Sequence, residues 1–129
     1  MPKRVLIVDD EMTILIAFRK LFQCPGVEVD IAESLEEAKA FLNGSPYDAV
    51  IADLRLSGIA GEEGLEIIQY VKYLHPGTHV ILITAYGSQD IQEKAYNLGA
   101  AFYFEKPVST SVLKDSLRSL GVFQTSWSS

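Results

Sequence analysis

Short, continuously apolar runs separated by longer amphipathic stretches are the feature that most limits how this chain can fold. Three runs, at residues 5–8, 49–52 and 80–83, contain only apolar side chains, many of them β-branched. Such runs are typical of strands that are buried on both faces of a parallel sheet. A run at residues 27–31 alternates apolar with acidic residues, which predicts a more exposed strand. A fifth run, at residues 101–104, is aromatic.

Five segments with helical spacing of apolar residues lie between and after these runs, at residues 13–23, 34–43, 64–75, 88–98 and 109–120. Ser34 followed by Glu37 forms a capping-box pattern, which predicts the start of the second helix, and Gly44 predicts its end. The order is a strand followed by a helix, repeated five times. It predicts an α/β fold with a doubly wound, five-stranded parallel sheet flanked by five helices, as in flavodoxin-like proteins.

The composition fits one domain, with residues 1–121 as the folded unit and residues 122–129 as a C-terminal tail or the start of a linker. The chain has 129 residues, of which 48% are hydrophobic, and a net charge of −6. An acidic chain argues against direct binding of nucleic acid, which requires clustered basic residues. The single cysteine, Cys24, suggests a reducing compartment. No stretch approaches the roughly 20 apolar residues that span a bilayer, so we expect a cytoplasmic protein.

Polar side chains follow four of the five predicted strands. Asp9 and Asp10 follow the first strand, Asp53 the third, Thr84 the fourth and Lys106 the fifth. Because the carboxyl ends of parallel strands meet at one edge of the sheet, we expect these side chains to lie together.

This combination of groups points to phosphoryl transfer. Close carboxylates from Asp9, Asp10 and Asp53 require a compensating cation, and oxygen ligands in small number suit Mg²⁺. A carboxylate can attack phosphorus to form an aspartyl phosphate, while a lysine, a hydroxyl and a metal stabilise the transferred group. Taken alone, Asp10 could be a helix cap, Thr84 a turn residue and Lys106 an exposed lysine. Their combination at one edge favours the functional interpretation.

The chain resembles the response-regulator receiver family from Arg4 to about Leu120. The motifs that carry the resemblance follow the predicted strands in order: Asp9-Asp10-Glu11, Ala52-Asp53-Leu54, Thr84-Ala85-Tyr86-Gly87 and Glu105-Lys106-Pro107. The resemblance implies a phosphoacceptor domain of a two-component system. Asp53 would be the acceptor, and Mg²⁺ would be bound by Asp10, Asp53 and the backbone carbonyl of Arg55, with Asp9 acting through water.

The same resemblance implies a switch. Lys106 and Thr84 would bind the phosphoryl group, and Tyr103 would turn inward as Thr84 moves, which would alter the surface of helix four, strand five and helix five. Tyr103 has a competing interpretation as part of an aromatic core strand. The peptide bond between Lys106 and Pro107 would be cis.

The implied partners follow from this role. The phosphodonor would be a sensor histidine kinase or a phosphotransfer protein. The switched surface would contact an output domain, a target protein or a second copy of the chain, without binding nucleic acid directly or a membrane. The protein would not be an enzyme in the ordinary sense, because it would catalyse only its own phosphorylation and dephosphorylation.

One segment departs from the family pattern. Residues 57–64 form a longer loop with Ser57 where proline is usual, and its three glycines predict a pliable backbone. Arg55 and Tyr86 flank the acceptor and could hinder an attacking water. We therefore expect a phosphorylated form that is not especially short-lived.

Three other functions compete with this interpretation. A phosphohydrolase that forms an aspartyl phosphate needs a second aspartate two residues after its nucleophile, and the first strand offers only Asp9-Asp10 followed by Glu11 and Met12. A flavin or nucleotide binder is not supported by any glycine-rich phosphate loop. A degenerate receiver that acts as a phosphorylation-independent binding module remains the main alternative.

Overall fold

The computed structural model describes residues 2–53, 62–85 and 87–122. Five strands alternate with five helices in this part of the chain. The strands are β1 (Lys3–Asp9), β2 (Val27–Ala32), β3 (Ala49–Asp53), β4 (His79–Thr84) and β5 (Phe102–Glu105). The helices are α1 (Met12–Phe22), α2 (Leu35–Gly44), α3 (Glu62–Leu74), α4 (Gln89–Leu98) and α5 (Thr110–Ser119).

All strands pair in parallel in one sheet of order β2-β1-β3-β4-β5. The predicted doubly wound α/β fold is therefore confirmed. The interior strand β3 is buried along its whole length, whereas the edge strand β2 alternates between buried and more exposed residues, as its sequence predicts. The strand order changes direction between β1 and β3, and in such sheets a crevice for ligands forms beyond the strand ends at this point.

The two faces of the sheet carry separate apolar cores. On one face, alternate strand residues such as Leu6 and Val50 pack with α2, α3 and α4. On the other face, Val5 and Ile51 pack with α1 and α5. Side chains on successive strand residues point to opposite faces, which explains why the interior runs are apolar without interruption. None of the helices in the described ranges is long and apolar enough to cross a membrane.

Serine residues begin three of the helices. The hydroxyl oxygens of Ser34, Ser88 and Ser109 accept hydrogen bonds from the backbone N–H groups three residues later, at 3.1, 3.1 and 3.2 Å. Gly99 ends α4 in the left-handed conformation that favours glycine. Gly44, in contrast, is the last residue of α2 and does not follow it.

Helix α3 begins at Glu62, two residues before the predicted start. The predicted start was two residues late because Gly64 was assigned both to the end of a pliable loop and to the first position of the helix. In the structure, Gly64 lies inside the helix, where a Cβ atom would stand 2.6 Å from Cδ1 of Leu82. The glycine therefore allows α3 to approach β4 closely. Residues 57–61 of the predicted loop lie outside the described part of the chain.

Candidate functional site

Three buried polar residues end three neighbouring strands. Asp9 ends β1 and Asp53 ends β3, and the two are register partners in the sheet. Their side chains are almost inaccessible, since Asp9 is 1% and Asp53 is 3% exposed. Thr84 ends β4 and is also buried. Burying two carboxylates side by side is costly unless positive charge lies nearby.

Lys106 supplies one positive charge. It follows β5, and its Nζ atom lies 2.6 Å from Oδ2 of Asp53. Its backbone N–H donates a 2.9 Å hydrogen bond to the carbonyl oxygen of Thr84, and its peptide bond to Pro107 is cis. Partial burial disfavours the ammonium, but the Asp53 carboxylate outweighs that effect and raises the pKa of Lys106. The lysine therefore stays charged.

Asp9 is less well compensated. Its Oδ1 atom accepts a 2.9 Å hydrogen bond from the backbone N–H of Glu11. Its Oδ2 atom is buried and, within the described ranges, accepts no hydrogen bond. Burial raises the pKa of Asp9 to about 7, and the neighbouring Asp53 carboxylate adds to this rise while the Glu11 N–H and Lys106 oppose it. The site is therefore short of positive charge.

A divalent cation fits this deficit. The carboxylate oxygens of Asp9 and Asp53 are hard ligands, and Asp10 next along the chain is an exposed carboxylate at the same edge. Within residues 2–53, 62–85 and 87–122, no three His, Cys, Asp or Glu side chains lie close enough to enclose a metal ion. A cation held by few carboxylate oxygens keeps several waters, as Mg²⁺ does. Arg55, the predicted carbonyl ligand, and Tyr86 lie outside these residues.

Tyr103 faces the α4 side of the sheet and is 7% exposed. Its ring is part of the apolar core on that face, and its switch role stays a prediction. Its hydroxyl is buried and makes no hydrogen bond with the described residues. The hydroxyl oxygen occupies the space that a Cβ atom on Gly87 would need. Burial raises the pKa of Tyr103, and the nearby Glu105 adds to the rise. In the sequence, Gly87 is recognisable only as part of the motif Thr84-Ala85-Tyr86-Gly87. Its close approach to Tyr103 was therefore not predicted.

An apolar cleft of about 390 Å³ opens beside Asp53 and Lys106. It separates one face of α1 from the segment that joins β5 to α5. Its other lining residues are Thr13, Ile14, Ala17, Phe18, Ile83, Pro107, Val108 and Leu113. No pattern in the sequence predicted this cleft.

Comparison with known proteins finds similar sequences over most of the chain. The family model for the response regulator receiver domain matches residues 5–118. The response regulator protein PilR of Pseudomonas aeruginosa is 34% identical over 113 residues, which are 88% of this chain and 25% of that protein. The chain therefore spans about a quarter of that relative. Sporulation initiation phosphotransferase F of Bacillus subtilis is 29% identical over 118 residues, which cover 92% of this chain and 93% of that protein.

Solved structures are similar over nearly the whole chain. A CheY-like receiver domain protein of Methanospirillum hungatei superposes with a TM-score of 0.82 at 30% identity, covering 94% of this chain and 95% of that one. The response regulator TrrA of Thermotoga maritima, solved in complex with Mg²⁺ and BeF, has a TM-score of 0.75 at 33% identity, covering 92% and 98%. By the extent of the family match and the agreement in fold, this chain belongs to the response regulator receiver domain family.

Proposed function

We propose that Asp53 accepts a phosphoryl group, with Mg²⁺ bound beside it, and that the chain acts as a switch in a two-component system. One observation carries the proposal. The buried Asp53 carboxylate lies 2.6 Å from the Lys106 ammonium and next to the buried Oδ2 atom of Asp9, which accepts no hydrogen bond from the residues that the structure describes. A purely structural ion pair would not require a second buried carboxylate beside it.

In the proposed reaction, an oxygen of Asp53 attacks the phosphorus of a phosphohistidine. A P–O bond forms as the P–N bond breaks, and the electron pair of that bond leaves with the histidine nitrogen. Lys106 pairs with negative charge on the phosphoryl oxygens, and the Thr84 hydroxyl binds one of them. A Mg²⁺ ion held by Asp10 and Asp53, with Asp9 acting through water and the Arg55 carbonyl as a further ligand, would neutralise the remaining charge.

The phosphodonor is a sensor histidine kinase or a phosphotransfer protein. The apolar cleft beside Asp53, lined in part by side chains of α1, supports a protein donor, because the buried centre of a protein–protein interface is mostly apolar. The similarity to a sporulation phosphotransferase and to a receiver solved with Mg²⁺ and BeF supports the same chemistry. A cytoplasmic setting, with residues 1–121 as the receiver and 122–129 as a tail or linker, is part of the proposal.

Thr84 and Tyr103 are the proposed switch residues. Movement of the Thr84 hydroxyl toward a phosphoryl oxygen would change the space available to the Tyr103 ring and bias the surface of α4, β5 and α5. That surface is the proposed contact for an output domain, a target protein or a second copy of the chain.

Incubation with acetyl phosphate and Mg²⁺, followed by intact-mass measurement, tests the acceptor. We expect a gain of one phosphoryl group that is abolished by Asp53→Asn and by chelation of the metal. Asp115→Asn is the matched control, because Asp115 is an exposed aspartate on α5, remote from the strand ends. After donor removal, the added mass should persist for minutes or longer. A wild-type protein that gains no mass from any phosphodonor would instead indicate a phosphorylation-independent binding module.

A further inference from the structure

Gly87 lies where a side chain would collide with the tyrosine at the proposed switch. A Cβ atom built on Gly87 would overlap the hydroxyl oxygen of Tyr103 and would stand 2.9 Å from both Oε1 of Glu105 and Cγ2 of Thr84. Contacts this short do not occur for real Cβ atoms. The glutamate could move its flexible end away, whereas the phenol is held on a buried ring.

The backbone of Gly87 does not itself require glycine. Among the described residues, the glycines with positive φ are Gly26, Gly99 and Gly121, so Gly87 has a conformation that other residues adopt. A turn requirement therefore does not explain this glycine. The Tyr103 hydroxyl explains it, because it occupies the space that a side chain would need.

Among the described residues, the Tyr103 hydroxyl also lacks good hydrogen-bond partners in the buried position. It lies near Glu105 and the Ser88 backbone, but within the described ranges it makes no hydrogen bond of acceptable geometry. A buried hydroxyl without a partner favours a conformation in which water reaches it. The ring, in contrast, gains from packing against the α4-side core. The hydroxyl therefore favours an exposed position of the Tyr103 side chain, and the ring favours a buried one. A side chain that alternates between two positions requires opposed preferences of this kind.

We propose that Gly87 is a positioning residue for Tyr103: its missing side chain makes the space that the phenol needs in the buried position. A methyl group at this site turns the Tyr103 ring toward solvent. The second part of the inference rests on the proposed function. If the buried ring is one state of the switch, Gly87→Ala uncouples phosphorylation at Asp53 from the α4–β5–α5 surface.

The test is a double-mutant cycle on the full chain, with Gly87→Ala, Tyr103→Phe and the combination. The resonance of Tyr103 in protein with ring-¹³C tyrosine is assigned by its loss in Tyr103→Phe. A soluble gadolinium chelate then reports exposure of the ring. We expect Gly87→Ala to increase the broadening of the Tyr103 signal several-fold. Gly77→Ala is the control, because nothing lies within 4 Å of a Cβ atom there and φ is not positive.

Urea unfolding supplies the second readout. Gly87→Ala should lower the unfolding midpoint in the Tyr103 background and much less in the Tyr103→Phe background, since only the first has the colliding hydroxyl. The contact with the Thr84 methyl is present in both backgrounds and cancels. An equal loss in the two backgrounds, unchanged broadening of Tyr103, or failure of both Gly87→Ala proteins to fold would overturn the proposal.

Phosphorylation separates this inference from the proposed function. Gly87→Ala should still gain one phosphoryl group from acetyl phosphate, while amide shifts in α4 and β5 that accompany phosphorylation of the wild type are lost. If the wild type takes no phosphoryl group, the proposed function fails, and the ring exposure and the cycle still decide the role of Gly87. If the shifts in Gly87→Ala match those of the wild type, the coupling role of Gly87 is wrong.

Discussion

Nζ of Lys106 lies 2.6 Å from Oδ2 of Asp53, although the two residues belong to strands that are not neighbours. Strand β4 separates β3 from β5, so the backbones stand roughly 10 Å apart and the lysine side chain reaches over the end of β4. The hydrogen bond from the backbone N–H of Lys106 to the carbonyl oxygen of Thr84 fixes the position of the Lys106 backbone, from which the side chain extends. The end of β4 therefore lies between the Asp53 carboxylate and the Lys106 ammonium.

Lys106→Ala should destabilise the protein in Mg²⁺-free buffer. The substitution leaves the Asp53 carboxylate buried beside Asp9 without its cation. Because the Lys106 side chain is 28% exposed, we expect a loss of about 1–2 kcal/mol, less than for a fully buried pair. Urea unfolding measures it, with Lys94→Ala as the control for an exposed helical pair with Asp90. A loss no larger than that of the control would contradict the proposed importance of the pair.

Asp9→Asn should have the opposite effect on stability. It removes a buried carboxylate that lies beside Asp53 and whose Oδ2 atom has no donor within the described ranges. We expect a gain of about 1 kcal/mol without Mg²⁺, because the amide carries no charge to desolvate. Millimolar Mg²⁺ should stabilise the wild type and not the variant. Denaturation curves that are identical with and without Mg²⁺ for the wild type would argue against the metal site.

Gly64→Ala should not give the stabilisation that is usual for alanine inside a helix. The usual gain is about 1 kcal/mol, but the new methyl group would meet Cδ1 of Leu82 at 2.6 Å. We expect no gain for Gly64→Ala and a loss of about 1–3 kcal/mol for Gly64→Val. Gly44→Ala at the end of α2 is the control, since its Cβ atom meets nothing within 4 Å. Equal gains at both glycines would refute a tight α3–β4 contact.

His79 should make the protein less stable in acid. Burial lowers the pKa of His79, Lys72 lowers it further, and Asp48 opposes both. In the unfolded chain, His79 binds a proton near pH 6.5, whereas in the folded chain it binds one only at lower pH. The free energy of unfolding therefore falls as the pH drops below about 6.5. His79→Gln removes this contribution. The unfolding free energy of the wild type relative to the variant should decrease between about pH 7.5 and about pH 5.5. A constant difference would show that His79 is not protected from protonation.

Tyr96→Phe should loosen the attachment of α4 to the edge strand. The Tyr96 hydroxyl accepts a hydrogen bond of 3.2 Å from the backbone N–H of Tyr103 in β5. Its loss should cost about 0.5–1.5 kcal/mol and accelerate hydrogen exchange at the Tyr103 amide. Tyr73→Phe serves as the control, because Tyr73 is 84% exposed. Unchanged exchange at Tyr103 would mean that the hydrogen bond does not persist in solution.

The sequence predicted the elements of the fold and the edge of the sheet at which the polar residues meet. It did so because burial on both faces leaves an uninterrupted apolar run, and helix caps leave serine and glycine at fixed positions. Errors were confined to a residue or two at most ends, and to Gly64. A glycine in a local pattern predicts a turn or a loop, whereas here a neighbouring strand requires it within a helix.

The contacts between side chains at the site were harder to predict from the sequence. The spacing of Asp9, Asp53 and Lys106 predicts that they share an edge. It contains no information on which oxygen the ammonium contacts, or on which oxygen has no donor among the described residues. The roles assigned to these residues, to Thr84 and to Tyr103 stay predictions. Arg55 and Tyr86 lie outside the described residues.

The sequence by itself determined the alternation of strands and helices, the parallel sheet and the family, because these depend on the periodicity and order of residues along the chain. Only the tertiary structure decided that Lys106 reaches across β4 to Asp53, and that the Tyr103 hydroxyl fills the space above Gly87. Both contacts join residues on different elements. Their distances depend on how tightly the layers pack, which no local pattern specifies.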